Sequence, residues 1–209
     1  MSLFLGPIHY WLYNKIRWFE AIEKDIAKWA EEKGLPISQW NEEIYIKFGE
    51  PTEDKPLEEM IDACNIHGWL QQRITNAELR QAALVTKIIN VDPELRQDLM
   101  TVFKNQGASA AKEYEKDATT PEAAYNALND FLLEGMPCDR VNEIVNQDNE
   151  ECQWETTICL HTPYWEQVGG DVKNFYDLRE VWISSFVTTV NPVLKYEKLS
   201  SNRQRIAVK

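Results

Sequence analysis

The chain of 209 residues has 44% hydrophobic and 27% charged residues, an ordinary globular composition with enough length to bury one core. Its formal net charge of −12 argues against nucleic acid and anionic membrane surfaces as partners, because both attract clustered Lys and Arg. The sequence has no transmembrane run, and the apolar start over residues 2–8 lacks the basic segment and cleavage pattern of a signal peptide.

Helical periodicity covers the first two thirds of the chain. Apolar residues at three- and four-residue steps, with proline near the starts and glycine after the ends, predict amphipathic helices. Gly68 would let another group approach one helix closely, and Gly107 would soften another. The predicted helices span residues 7–33, 37–48, 56–89, 93–114 and 121–134.

After residue 135 the pattern becomes that of short strands. Alternating residues on both sides of the turn at Asp148 and Asn149 predict a β-hairpin. The predicted elements here are strands over 141–145, 153–160, 193–199 and 203–208, with a helix over 178–187. Helices followed by strands predict an α+β fold, in which an N-terminal bundle of long helices (1–135) packs with a small C-terminal antiparallel β-sheet (136–209) as one compact unit.

Two predicted helices carry almost the same motif, Ile-His-x-Trp-Leu, followed at equal spacing by a basic residue, Ile and Glu. On a helix, the glutamate returns to within about 20° of the histidine, so both lie on one face. Antiparallel packing would bring His9 near Glu78 and His67 near Glu20. The matched polar and aromatic residues are His9, Trp11, Lys15 and Glu20 in the first copy and His67, Trp69, Arg73 and Glu78 in the second.

Three interpretations of this repeat remain open. The histidines and glutamates are candidate ligands for a divalent transition metal, with haem as a less favoured cofactor. Alternatively, each carboxylate orients a catalytic imidazole, or the histidines are buried structural groups satisfied by the carboxylates. Aromatic side chains often line ligand pockets, and the candidates here are Trp11, Tyr13, Trp69 and Trp165.

The third histidine lies next to a cysteine. On the predicted strand over 153–160 and its end, Cys159 and His161 would point to one face as a nucleophile pair or half of a metal site. A buried structural cysteine beside a histidine is the alternative. The four cysteines are irregularly spaced, which predicts free thiols and a cytoplasmic location.

The last third of the chain resembles a known family. Gly135-Met136-Pro137, a strand ending in Cys159, then Pro163 and Trp165, and an Asn-Pro-x-Leu turn are similar to the C-terminal part of the L-2-amino-thiazoline-4-carboxylic acid hydrolase-like family. This resemblance implies a helical region paired with a small sheet. It also implies hydrolysis of a C–N or C–S bond, with Cys159 at the position of the family's cysteine.

The sequence therefore predicts a cytoplasmic protein that binds a small polar molecule between the helices and the sheet, with hydrolase activity through Cys159 and His161 as the most concrete reaction. One alternative is a non-catalytic metal- or haem-binding protein that uses His9 and His67. Another is a regulatory or interaction module whose histidines are structural. The expected partner is a small-molecule ligand rather than nucleic acid or a membrane, and homo-oligomerisation is left open.

Overall fold

The fold is α+β, as predicted. The structure is a computed structural model that describes residues 4–209, so the first residues of the apolar start lie outside the described part. Within that part, no helix combines the length and apolarity needed to cross a bilayer. The helices are α1 (Pro7–Glu32), α2 (Ile37–Phe48), α3 (Leu57–Met60), α4 (Ile66–Val91), α5 (Leu95–Glu113), α6 (Pro121–Asn129), α7 (Thr162–Gln167) and α8 (Val172–Val190). The strands are β1 (Asn142–Gln147), β2 (Glu151–Thr156), β3 (Leu194–Lys198) and β4 (Arg203–Val208).

The four strands form one antiparallel sheet in the order β1-β2-β4-β3. Cys152 of β2 lies opposite Ile206 of β4, and both are fully buried, as is Leu194 of β3. The same face of β2 also buries Trp154, which contacts the ring of Tyr125 from α6. One face of the sheet therefore packs on the helices, and a single core cluster contains residues from both parts of the chain.

Helices α5 and α8 pack closely at Gly107. A Cβ atom at this position would lie 2.3 Å from the carbonyl oxygen of Trp182, so only glycine permits the contact. The neighbouring Gln106 accepts a hydrogen bond of 2.7 Å from the Trp182 indole N–H. Helix α5 continues without interruption through Gly107, and the glycine allows α5 and α8 to pack closely.

The predicted helix over 56–89 is interrupted. Helix α3 ends at Met60 and α4 begins at Ile66. The Asn65 side chain accepts a hydrogen bond of 3.2 Å from the Gly68 N–H and so caps α4. A Cβ atom on Gly68 would lie 2.2 Å from Asn65 Nδ2, so the group that approaches Gly68 closely is this capping side chain.

Helices α1 and α4, which carry the repeat, lie side by side in the same direction. His9 contacts His67 near the N-terminal ends of both helices. More than ten residues further along each helix, Glu20 and Glu23 contact Arg80. The two helices therefore do not meet the condition of antiparallel packing on which the His–Glu pairs between the copies depend, and His9–Glu78 and His67–Glu20 do not form.

Strand β2 is shorter than predicted. Glu155 lies opposite Arg203, which is the first residue of β4, so the neighbouring strand ends there. Cys159 and His161 consequently lie in the segment between β2 and α7 rather than on one face of a strand. Helix α6 also ends earlier than predicted, at Asn129, which leaves Glu134 in the connection to a 3-10 helix over Pro137–Asp139.

Candidate active site

A buried charged network surrounds His161, which is 2% exposed. Its Nδ1 lies 3.0 Å from Glu78 Oε1 of α4, and its Nε2 lies 3.3 Å from Glu134 Oε2. Arg179 of α8 donates to the other oxygen of Glu134. Four separate parts of the chain therefore contribute to one network with two carboxylates and two basic groups.

The two carboxylates keep His161 charged. Burial alone would lower the pKa of His161, but Glu78 and Glu134 outweigh it and raise that pKa to about 9. Burial opposes ionisation of Glu134 as well, but Arg179 and His161 lower its pKa to about 2. At neutral pH, His161 is thus an imidazolium that donates from both nitrogens, and it cannot act as a general base.

Cys159 is exposed and lies beside this network. Its Sγ accepts a hydrogen bond of 2.8 Å from the Tyr176 hydroxyl and one of 3.4 Å from the Thr162 backbone N–H, and it lies 3.1 Å from Thr162 Oγ1. Partial burial disfavours the thiolate, but these hydrogen bonds outweigh it and lower the pKa of Cys159. Burial and the neighbouring sulfur raise the pKa of Tyr176, so its hydroxyl remains a donor.

Cys159 lies where two cavities meet. One, of about 270 Å³, is lined by Cys159, Tyr176, Arg179 and Glu134 among others. The other, of about 440 Å³, is lined by Cys159 and by Glu78. Within residues 4–209, the second oxygen of Glu78, a residue that is only 1% exposed, is buried without a hydrogen-bond partner. Cys159 therefore borders both cavities, and the larger of the two also borders an unsatisfied carboxylate.

The sequence placed Cys159 and His161 in one site, and the structure brings them near each other without joining their side chains. The His161 imidazole contacts Glu78 and Glu134, and Cys159 contacts Thr162 and Tyr176. Glu78, which was expected to pair with His9, forms its hydrogen bond with His161 instead. The sequence reasoning missed the remaining members of this site, which are Glu134, Thr162, Tyr176 and Arg179.

The repeat histidines pair with each other. His9 Nε2 lies 3.4 Å from His67 Nε2. The Gly6 N–H donates a hydrogen bond of 2.9 Å to His9 Nδ1, as in a capping box at the start of α1. Neutral His9 therefore carries its proton on Nε2 and donates it to His67. A metal on His9 Nε2 would require the proton on Nδ1, facing the Gly6 N–H, so this arrangement favours a structural pair.

The other two predicted metal ligands lie elsewhere. Glu20 accepts hydrogen bonds from Arg80 and from the Thr52 backbone N–H, while Glu78 belongs to the His161 network. The histidine pair and the two glutamates thus occupy three separate places. Among residues 4–209, no three or more His, Cys, Asp and Glu side chains are grouped so that they could hold a metal ion.

The aromatic residues that were predicted to line a ligand pocket lie in different parts of the structure. The Trp11 indole N–H donates to Asp130 at 2.9 Å, and Lys15 Nζ lies 4.0 Å from the ring centroid of Trp11. Trp69 contacts the Tyr13 ring and the guanidinium of Arg73. Trp165 is 1% exposed and belongs to the core.

These aromatic residues therefore lie in three different places. Trp11 and Lys15 line a separate cavity of about 210 Å³ that also borders Glu134.

No protein-family model, no curated protein and no solved structure matches this chain. The resemblance of the last third to the hydrolase-like family therefore stays a prediction.

Proposed function

We propose that the protein is a thiol-dependent hydrolase that uses Cys159 to cleave a C–N or C–S bond of a small polar substrate. The observation that carries this proposal is the position of Cys159, an exposed residue that lines two cavities and whose Sγ accepts hydrogen bonds from Tyr176 and Thr162. Such hydrogen bonds stabilise the thiolate, which is the nucleophilic form of cysteine.

The reaction has two steps. The Cys159 thiolate attacks a carbonyl carbon of the substrate and forms a C–S bond, so that a thioester remains when the leaving group departs. The C–N or C–S bond of the substrate breaks, and its leaving group takes a proton from the Tyr176 hydroxyl, which lies 2.8 Å from Sγ. Water then attacks the thioester, its proton returns to Tyr176, and the thiolate leaves, so that the net change is addition of one water to the substrate.

The His161 network is assigned a positioning role. Because Glu78 and Glu134 occupy both nitrogens of His161, this residue fixes the segment that presents Cys159. Arg179 holds Glu134 and lines the same cavity as Cys159 and Tyr176. The lining contains cationic, hydroxyl and carboxylate groups, which favours a small polar substrate over a large apolar one. Four free cysteines fit the cytoplasmic location that we include in the proposal.

Alkylation by iodoacetamide as a function of pH tests the activated thiol. Cys64 and Cys138 are also exposed and serve as internal controls, with labelling quantified at each site by peptide mass spectrometry. We expect Cys159 to become reactive at lower pH than both controls, because its thiolate is stabilised. Tyr176→Phe should move the Cys159 profile toward higher pH and leave the two control profiles unchanged. Three coincident profiles in the wild type would contradict an activated nucleophile.

Hydrolysis of a small aryl thioester and a small nitroanilide tests the reaction class. Cys159→Ala should reduce the wild-type rate with a productive probe by at least about a hundredfold. Cys138→Ala is the matched control and should leave the rate unchanged. Equal rates in wild type and Cys159→Ala, or no turnover of either bond type, would reject the hydrolase.

A further inference from the structure

A third cavity also borders Glu134 and is lined by a buried amine. Lys15 of α1 is 5% exposed and lines a cavity of about 210 Å³, which has room for several water-sized groups. Within residues 4–209, no side-chain or backbone group forms a hydrogen bond or a close ion pair with Lys15. Its ammonium instead lies over the Trp11 ring, 4.0 Å from the centroid.

This environment is costly for a cation. A buried ammonium is normally paired with a carboxylate or loses its proton. Burial, opposed by the more distant Glu134 and helped by Arg179, lowers the pKa of Lys15 to about 8. Glu134 already accepts from Arg179 and His161, and Asp130 accepts from Trp11. A lysine with these surroundings has a larger fraction of neutral, nucleophilic amine than an exposed one.

Arg140, which follows the 3-10 helix over Pro137–Asp139, lines the same cavity. It is exposed and, in the described part of the chain, it has no carboxylate partner. Its backbone is left-handed, with φ 50° and ψ 48°, which costs free energy for a residue other than glycine and is often retained at ligand sites. In a chain with an excess of acidic residues, two cations without carboxylate contacts therefore face one small cavity.

We propose that this cavity binds a small oxo acid, whose carboxylate pairs with Arg140 and whose carbonyl carbon forms an imine with Lys15. The neutral amine attacks the carbonyl carbon and forms a C–N bond, and its proton passes to the carbonyl oxygen. The resulting carbinolamine loses water to give the imine, so no oxidant or further reactant is needed. Arg140 supplies the planar pair of donors that suits a carboxylate.

Reductive trapping tests the proposal. The protein carrying Cys159→Ser is treated with limiting glyoxylate and cyanoborohydride, and carboxymethylated lysines are located and quantified by peptide mass spectrometry. The substitution removes the thiol of the proposed hydrolase, so that labelling of Lys15 is measured independently of that activity, while the exposed Cys64 and Cys138 remain the same in every sample. We expect Lys15 to be labelled about tenfold faster than exposed Lys104 and Lys112. Labelling of Lys15 no faster than these controls would overturn the proposal.

Arg140→Gln tests the carboxylate contact without altering the buried amine. Acetaldehyde has the same reactive group as glyoxylate but no carboxylate, so the ratio of Lys15 labelling by the two probes measures recognition of the acid. We expect glyoxylate to be preferred in the Cys159→Ser protein and the preference to disappear when Arg140→Gln is added. An unchanged preference would reject the role of Arg140. Lys15→Arg retains the charge and should abolish only the adduct at this position.

Discussion

The two copies of the repeat begin with the same residues and end in different surroundings. In α1, His9 caps the start of the helix by accepting from the Gly6 N–H, and Glu20 accepts hydrogen bonds from Arg80 and the Thr52 N–H. In α4, His67 is exposed, and Glu78 binds His161 beside the cavity that contains Cys159. One copy therefore forms part of a structural ion network, while the other reaches the candidate active site.

The shared features are those that one helix can determine by itself. In each copy, the tryptophan and the basic residue four positions later form a cation–π pair, Trp11 with Lys15 and Trp69 with Arg73. The glutamates differ because their partners come from other parts of the chain. The comparison teaches that a repeated helical motif fixes the direction of a side chain, while the elements packed against it decide its role.

The largest expected effect comes from breaking the network of the first copy. Arg80 is 1% exposed and donates to both Glu20 and Glu23. Arg80→Met would leave two buried carboxylates without their cation, which should cost about 3–5 kcal/mol of unfolding free energy at pH 8. Urea unfolding followed by tryptophan fluorescence measures this loss.

Two comparisons sharpen this measurement. Arg73→Met on the same helix removes a cation–π contact and should cost about 1 kcal/mol or less. Burial raises the pKa of Glu23 to about 7 even beside Arg80, so lowering the pH to 5 should protonate this carboxyl and reduce the cost of Arg80→Met. Equal costs for the two arginine substitutions would show that the buried network is not the stabilising feature.

The network around Glu78 of the second copy should make the unfolding free energy depend on pH. The pKa of folded His161 is raised to about 9, against 6.5 as its ordinary value. Its stabilising contribution is therefore fully present below pH 6.5 and is lost as the pH rises through 9. This loss is on the order of 3 kcal/mol. Urea unfolding of the wild type at pH 6 and pH 9.5 should show it, and His161→Gln should remove this part of the pH dependence.

The control for His161 is the exposed histidine of the same copy. His67→Gln removes an imidazole that contacts His9, and within the described residues it has no ion pair with a carboxylate. It should leave the difference in stability between pH 6 and pH 9.5 unchanged. If His161→Gln and His67→Gln had the same pH profile as the wild type, the charged state assigned to His161 would be wrong.

Local patterns predicted most of the fold. Helix α1, helix α2 and strand β4 follow from periodicity, proline and glycine, because these act over a few residues. The break before α4 escaped prediction because an apolar pattern continued through it, while the Asn65 cap acts through one hydrogen bond. The early end of β2 depends on where β4 begins, which is a property of strand pairing rather than of β2 itself.

The candidate site was predicted in part. Cys159, His161 and Glu78 were each identified, but the sequence assigned Glu78 to His9 because both lie in the repeat. Glu134 and Arg179 carry no motif, and only the packing of α8 and the connection after α6 brings them to His161. Long-range charge pairing of this kind has no local pattern in a single sequence.

The smallest expected effect concerns the histidine pair itself. His9→Ala removes the acceptor for the Gly6 N–H and should cost about 1 kcal/mol, whereas His67→Ala should cost less because His67 is exposed. A hydrogen-bonded pair predicts no change in the melting temperature when Zn²⁺ or Ni²⁺ is added. A metal site predicts stabilisation of about 2.7 kcal/mol at a hundredfold excess over its dissociation constant, lost in His67→Ala.

Metal analysis of the purified wild type and the His9→Ala/His67→Ala double variant completes this test. Stoichiometric metal in the wild type that is absent from the double variant would reverse the assignment of the His9 proton, because metal on Nε2 requires Nδ1 to carry it. The Gly6 N–H would then have to find another acceptor, and the start of α1 would differ from the arrangement described. Equal, substoichiometric metal in both samples would support a structural role for the repeat histidines. The proposed chemistry would then depend on Cys159.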